Sequence, residues 1–263
     1  MKRWRAAGMA ACLLLAACES GPGGTPAGVR PSDSASNPDV LSSPAHINTE
    51  LGLEYMKVGN RDAALARLLK ALEYDANFVN AHVGLGILFE NMGEKARAEQ
   101  HYQRALAINA QDTRTRNNYG QFLCRDGRHQ DAQTQFEVAL ANPLNEASFL
   151  TYTFSGLCAL SAKDTARAVS QLGAALQANP QFVPALIGMV RAYYEQGQHT
   201  VAREYLQRYY KTEKHSADSL WYGVLIERAL GNRAAEINYA VRLKGLFPDA
   251  PQTRLLRELE RQP

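Results

Sequence analysis

The feature that most constrains this chain is a 34-residue period that its glycines mark. The members of this series are Gly59, Gly93, Gly127, Gly197 and Gly231. Lys163 stands where a glycine is missing between the third and fourth members. Alanines keep the same period at Ala64, Ala98, Ala132, Ala168 and Ala202, and large apolar residues keep it at Leu68, Tyr102, Phe136, Leu172 and Leu206. A fixed period of this length predicts a stack of identical supersecondary units.

The order of residue types within one period predicts two packed helices. A small residue at repeat position 8 lets the two helices approach closely, and the bulky residue at position 24 fills the space beside it. Glycine near position 15 ends the first helix, because it readily adopts the left-handed backbone conformation. This unit resembles the tetratricopeptide repeat, a helix–turn–helix of 34 residues.

The resemblance implies an all-α fold: a right-handed superhelical solenoid of six repeats with a C-terminal capping helix. We place the repeats at 45–78, 79–112, 113–146, 149–182, 183–216 and 217–250, and the capping helix at 251–261. Ala147 and Ser148 are inserted between the third and fourth repeats. The fifth and sixth repeats depart from the pattern, since Val190 and Val224 replace the small residue at position 8.

The first 44 residues resemble the export signal and tether of a bacterial lipoprotein. Residues 1–17 have a basic start and a short apolar stretch, which is typical of a removable signal peptide. Residues 15–18 (LAAC) resemble a lipobox, so we expect cleavage before Cys18 and acylation of that residue. Residues 18–44 are rich in proline and glycine, and we expect a disordered, lipidated tether. A secreted protein cut elsewhere is the alternative.

By resemblance to enterobacterial sorting rules, Glu19 after the lipobox favours lipid anchoring at the periplasmic face of the outer membrane. Several acyl chains on one residue anchor a protein stably, whereas a single chain binds reversibly. No apolar run reaches the roughly 18 residues that an ordinary transmembrane helix needs. The expected location therefore depends on Cys18.

Charge and motifs argue against several classes of function. Without Lys2, Arg3 and Arg5 of the predicted signal, the chain has 26 basic and 26 acidic residues, which gives no support for nucleic-acid binding. No nucleotide-binding loop, zinc-protease motif or serine-hydrolase motif is present, so we predict no enzyme activity and no cofactor. The six histidines are scattered and predict no metal site; His129 and His199, both just after a turn, are expected to be solvated.

Cys124 and Cys158 are the only cysteines of the predicted mature chain besides Cys18. Both fall on first helices of neighbouring repeats, which pack side by side in this type of array. Two buried free thiols are one interpretation. Export to an oxidising compartment favours a disulfide between them, and we predict that bond.

The third and fourth repeats carry a more specific resemblance. Residues 117–124 (NNYGQFLC) followed by Gly127, and residues 156–160 (GLCAL) after 141–144 (ANPL), resemble the PilW/PilF family of type IV pilus biogenesis lipoproteins. The lipobox, the six repeats and the paired cysteines also fit that family. The resemblance implies a pilotin that binds the secretin subunit PilQ and helps it to reach the outer membrane and multimerise.

In repeats of this type, first-helix residues line a concave groove, and we predict partner binding by four apolar ones. These are Leu53, Met56, Val83 and Ile87. Packing of these residues on the next repeat is the alternative interpretation. A lipoprotein scaffold for cell-wall or outer-membrane protein assembly is the rival function, and a peptide-binding adaptor unrelated to pili is another.

Overall fold

The computed structural model describes residues 43–212 and 215–261, and the regular structure in these ranges is entirely α-helical. The predicted signal peptide, Cys18 and the tether up to residue 42 lie outside the described residues. The described helices, in chain order, are α1 (Pro44–Lys57), α2 (Arg61–Tyr74), α3 (Val79–Asn91), α4 (Lys95–Ile108), α5 (Thr113–Arg125), α6 (His129–Ala141), α7 (Ser148–Ser161), α8 (Thr165–Ala178), α9 (Val183–Glu195), α10 (His199–Thr212), α11 (Ala217–Ala229), α12 (Arg233–Leu246) and α13 (Pro251–Arg261). None of them is both long enough and apolar enough to cross a membrane.

The helices form six consecutive pairs, and α13 packs on the last pair. Consecutive first helices, such as α1 and α3 or α5 and α7, also contact each other. Within the two described ranges, no two consecutive second helices bring their Cα atoms within 8 Å of each other. The first helices are therefore closer together and line the inner, concave side of the array. The all-α array of six repeats with a capping helix, predicted from the 34-residue period, is confirmed.

A glycine on the first helix sets the distance between the two helices of a pair. A Cβ atom added at Gly52 would lie 2.7 Å from Cγ of Leu68, and one added at Gly86 would lie 2.8 Å from Cε1 of Tyr102. Leu68 and Tyr102 are completely buried. In these two repeats no side chain fits at position 8 while the bulky residue at position 24 keeps its place, as the sequence pattern predicts.

In the sixth repeat, different residues make the close contact between the two helices of the pair. Gly223, one residue before Val224, lies against the ring of Tyr239. Glu236 is buried at the position where the earlier repeats have alanine. Its Oε1 atom lies 3.2 Å from Nε of Arg228 and 2.9 Å from a guanidinium nitrogen of Arg233. These ion pairs offset the cost of burying the carboxylate.

The two inserted residues lengthen one loop. Six residues separate α6 from α7, whereas four separate α2 from α3, α4 from α5 and α8 from α9. Asn145 holds the longer loop in place, because its side-chain nitrogen donates hydrogen bonds to the carbonyl oxygen of Ala139 at 3.0 Å and to Oγ1 of Thr151 at 3.1 Å. Ser148 is already helical, so the inserted pair is shared between the loop and α7.

Each turn within a pair passes through one residue with a left-handed backbone. The five periodic glycines have φ between 71° and 81° at these positions. Lys163 has φ of 61° at the equivalent place between α7 and α8. For a residue with a Cβ atom this conformation costs about 1–2 kcal/mol, so the backbone of Lys163 is strained.

We expect Lys163→Gly to raise the free energy of unfolding by roughly 0.5–1 kcal/mol, because relief of the strain exceeds the added flexibility of the unfolded chain. The reverse change at the equivalent position, Gly127→Lys, is the matched control and should lower it by about 1 kcal/mol or more. Urea unfolding followed by circular dichroism measures both. A Lys163→Gly protein that is less stable than the parent would contradict the assignment of strain.

Candidate functional site

The concave side carries the apolar residues predicted to bind a partner. Leu53 and Met56 lie on α1, and Val83 and Ile87 lie on α3. All four are partly exposed. Met56, Val83 and Ile87 also pack against the buried core of the first three repeats. Met56, Val83 and Ile87 therefore both pack on the core and leave part of their surface free for a partner. Leu53 contributes least to the core.

An ion pair lies next to this apolar patch on the concave side. The guanidinium of Arg125 on α5 donates to both carboxylate oxygens of Glu90 on α3, at 2.6 and 2.9 Å. Glu90 also accepts a hydrogen bond of 3.4 Å from the buried Tyr102 hydroxyl. The pair ties the second repeat to the third, and its two-pronged geometry fixes the position of Arg125.

A cavity of about 540 Å³ opens beside this ion pair, between α5 and α7. Its walls include Gln121 and Arg125 from α5 and Phe154 and Leu157 from α7, and most of its lining is apolar. Leu157 is exposed. Together with the apolar patch, the cavity extends the candidate binding surface across the first four repeats.

Cys124 and Cys158 form the floor of this cavity. The structure joins the two sulfur atoms in a disulfide, with the Cα atoms 5.7 Å apart. Cys158 is buried, whereas Cys124 is partly exposed. The bond links α5 and α7, the first helices of the third and fourth repeats, and thus spans the joint at which the lengthened loop connects α6 to α7.

His129 belongs to the same cluster, although the sequence predicts a solvated residue there. Its Nδ1 atom lies 3.7 Å from the sulfur of Cys124 and 3.7 Å from that of Cys158, and the residue is partly buried. Ser161 completes the cluster, with Oγ 3.3 Å from the Cys124 sulfur and 3.4 Å from Nδ1 of His129. The signal in the sequence is the short spacing from Cys124 across the turn to His129.

Two other histidines lie close together, which the scattered positions in the sequence do not predict. Nδ1 of His82 on α3 is 3.1 Å from Nδ1 of His101 on α4, and the ring of His101 stacks on Phe89. Burial lowers the pKa of His82, and it lowers the pKa of His101 to about 4. Both rings are therefore neutral near pH 7, and one donates a hydrogen bond to the other.

The disulfide is expected to stabilise the joint between the third and fourth repeats. Because the bond closes a loop across a sequence separation of 34, replacing both Cys124 and Cys158 by serine should lower the free energy of unfolding by about 3–4 kcal/mol. Non-reducing urea unfolding measures this change. Mass spectrometry of protein exported to the periplasm and alkylated without reduction decides the oxidation state, since two alkylated cysteines would contradict the bond.

Comparison with known proteins agrees with this architecture. Two family models, both described as tetratricopeptide repeat, match residues 49–113 and 159–222. The type IV pilus assembly protein PilF of Pseudomonas aeruginosa is 29% identical over 199 residues, which cover 76% of this chain and 79% of PilF. The crystal structure of PilW, described as a widely conserved type IV pilus biogenesis factor, superimposes with a TM-score of 0.74 at 29% identity, over 81% of this chain and 97% of that one.

The chain is a tetratricopeptide-repeat protein homologous to PilF and PilW. A solved structure of P. aeruginosa PilF supports the same relationship, with a TM-score of 0.70 at 26% identity over 82% of this chain and 97% of PilF. These comparisons confirm the resemblance to the PilW/PilF family that residues 117–124 and 156–160 indicate.

Proposed function

We propose that this protein acts in type IV pilus biogenesis as a lipid-anchored pilotin for the secretin subunit. The observation that carries the proposal is the homology to PilF and PilW, which extends over about four fifths of the chain in the structural comparison. The role is that of a scaffold: the repeat array holds a partner, and the tether keeps it at the membrane.

The concave side supplies the surface for the partner. Its apolar patch on α1 and α3 and the mostly apolar cavity between α5 and α7 lie on first helices, so one extended segment of the secretin subunit could contact both. Half-buried apolar side chains such as Ile87 already have part of their conformational freedom restricted by packing. Binding to them costs less entropy than binding to mobile side chains.

The anchor would increase the rate of assembly without any chemical step. Acyl chains on Cys18 would hold the array at the periplasmic face of the outer membrane, and a tether of about 25 residues would keep it within a few nanometres of that surface. Secretin subunits bound there would be concentrated next to the membrane that they enter. A higher local concentration favours multimerisation.

Leu53→Glu tests the binding surface. The substitution places a charge in the apolar patch and should weaken capture of the secretin subunit at least about tenfold, because charged groups are costly in the apolar centre of an interface. Leu69→Glu on α2, an exposed leucine outside the first helices, is the matched control and should bind like the parent protein. Co-purification from detergent-solubilised outer membrane measures binding, and circular dichroism measures folding.

Equal capture of the secretin by the Leu53→Glu and Leu69→Glu proteins would place the binding surface elsewhere. Loss of secretin multimers and surface pili in a strain without this protein is the outcome that the pilotin role requires. Intact pili together with a weakened envelope would instead support a scaffold for cell-wall or outer-membrane protein assembly.

Cys18→Ser tests the anchor. The variant should keep the helical content of the parent protein, because Cys18 lies well before α1, but it should leave the outer-membrane fraction. Membrane fractionation with immunodetection measures the shift. A variant that stays with the outer membrane even in a strain without the secretin would show that Cys18 is not the anchor.

A further inference from the structure

Three potential metal ligands meet at the floor of the cavity, and neither the fold nor the proposed function uses them together. Cys124, His129 and Cys158 come from three consecutive helices, α5, α6 and α7. Their ligand atoms all lie within 4.8 Å of one another. Two cysteines and a histidine are a ligand set that zinc and other borderline cations prefer, once the sulfurs are present as thiolates.

The distances suit a tetrahedral ion. Zinc binds sulfur at about 2.3 Å and nitrogen at about 2.0–2.1 Å, so the sulfur and nitrogen ligands of a tetrahedral site are roughly 3.6 Å apart. Nδ1 of His129 already lies 3.7 Å from each of the two sulfurs. Only the distance between the sulfurs must change, and it must increase to about 3.8 Å after the disulfide is reduced.

A polar side chain, that of Ser161, lies next to the three ligands and lines the same cavity. Oγ of Ser161 lies 3.3 Å from the Cys124 sulfur and 3.4 Å from Nδ1 of His129, and it donates a hydrogen bond of 2.8 Å to the carbonyl oxygen of Cys158. It is therefore close enough to accept a hydrogen bond from a water molecule that would complete the coordination of an ion bound there. Arg125 is the cation that lines the cavity, and its two-pronged pair with Glu90 compensates its charge.

We propose that the reduced form of this protein binds one zinc ion through Cys124, Cys158 and His129. A dithiol reductant supplies two electrons and two protons, which convert the disulfide into two thiols while the dithiol becomes a cyclic disulfide. Zinc then displaces both thiol protons and binds the two thiolates and the neutral imidazole. The metal replaces the covalent link between the third and fourth repeats with a coordinated one.

The test uses the mature chain with Cys18→Ser, so that Cys124 and Cys158 are its only thiols. The protein is reduced with a dithiol, freed of it anaerobically and titrated with Co²⁺, whose absorption reports tetrahedral thiolate ligation. We expect a thiolate-to-cobalt band that saturates at one equivalent and disappears when Zn²⁺ is added. The oxidised protein, treated in the same way, should show no such band.

His129→Ala separates a designed ligand set from binding by two thiolates alone. We expect this variant to bind zinc at least about tenfold more weakly. His199→Ala is the matched control, because His199 occupies the same repeat position in the fifth repeat, and it should leave the affinity unchanged. Equal affinities of the parent and His129→Ala proteins would overturn the proposal.

Stability gives a second readout that does not depend on the spectrum of cobalt. Zinc should raise the melting temperature of the reduced parent protein and leave that of the Cys124→Ser, Cys158→Ser double variant unchanged. If the reduced protein loses helicity without metal, zinc must restore it. A reduced, folded protein that shows neither the thiolate band nor a shift in melting temperature with zinc would refute the site.

Discussion

The contact between a glycine backbone and one large side chain determines how five of the six described helix pairs are built; the fifth pair, with Val190 at position 8, is the exception. Leu68 fills the space against Gly52 of its own repeat, and the same side chain reaches Gly84 of the next repeat. Leu172 does the same between the fourth and fifth repeats. One buried residue therefore closes a pair and joins it to its neighbour, so the spacing within a repeat and the stacking between repeats depend on each other.

The sequence predicts this architecture well because the contact repeats with the chain. Each of the first four repeats has a glycine at position 8 that lies against the bulky residue at position 24, and four copies of one contact make the signal strong. The exceptions show where one-dimensional patterns fail. Glu236 is buried where the repeat pattern predicts alanine. Two arginines at positions that the pattern does not specify, Arg228 and Arg233, pair with its carboxylate.

The candidate site is less predictable, because it arises between repeats rather than within them. Leu53, Met56, Val83 and Ile87 follow from the repeat positions that face the groove, but their division between core and surface depends on the neighbouring repeat. His129 reaches both sulfurs only because α5, α6 and α7 meet at one point. The spacing within the third repeat indicates the contact with Cys124, but the contact with Cys158 depends on how the fourth repeat stacks on the third.

The lengthened loop and the disulfide lie at the same joint, and this has a mechanical consequence. A load applied to the two ends of the array would tend to separate the repeats one after another. The residues between Cys124 and Cys158, a sequence separation of 34, would be shielded from that load while the bond is intact. The intact bond therefore reduces the maximum length of the stretched chain by roughly 110 Å. The joint with the longest described connection between repeats would thus be the one that force cannot pull apart.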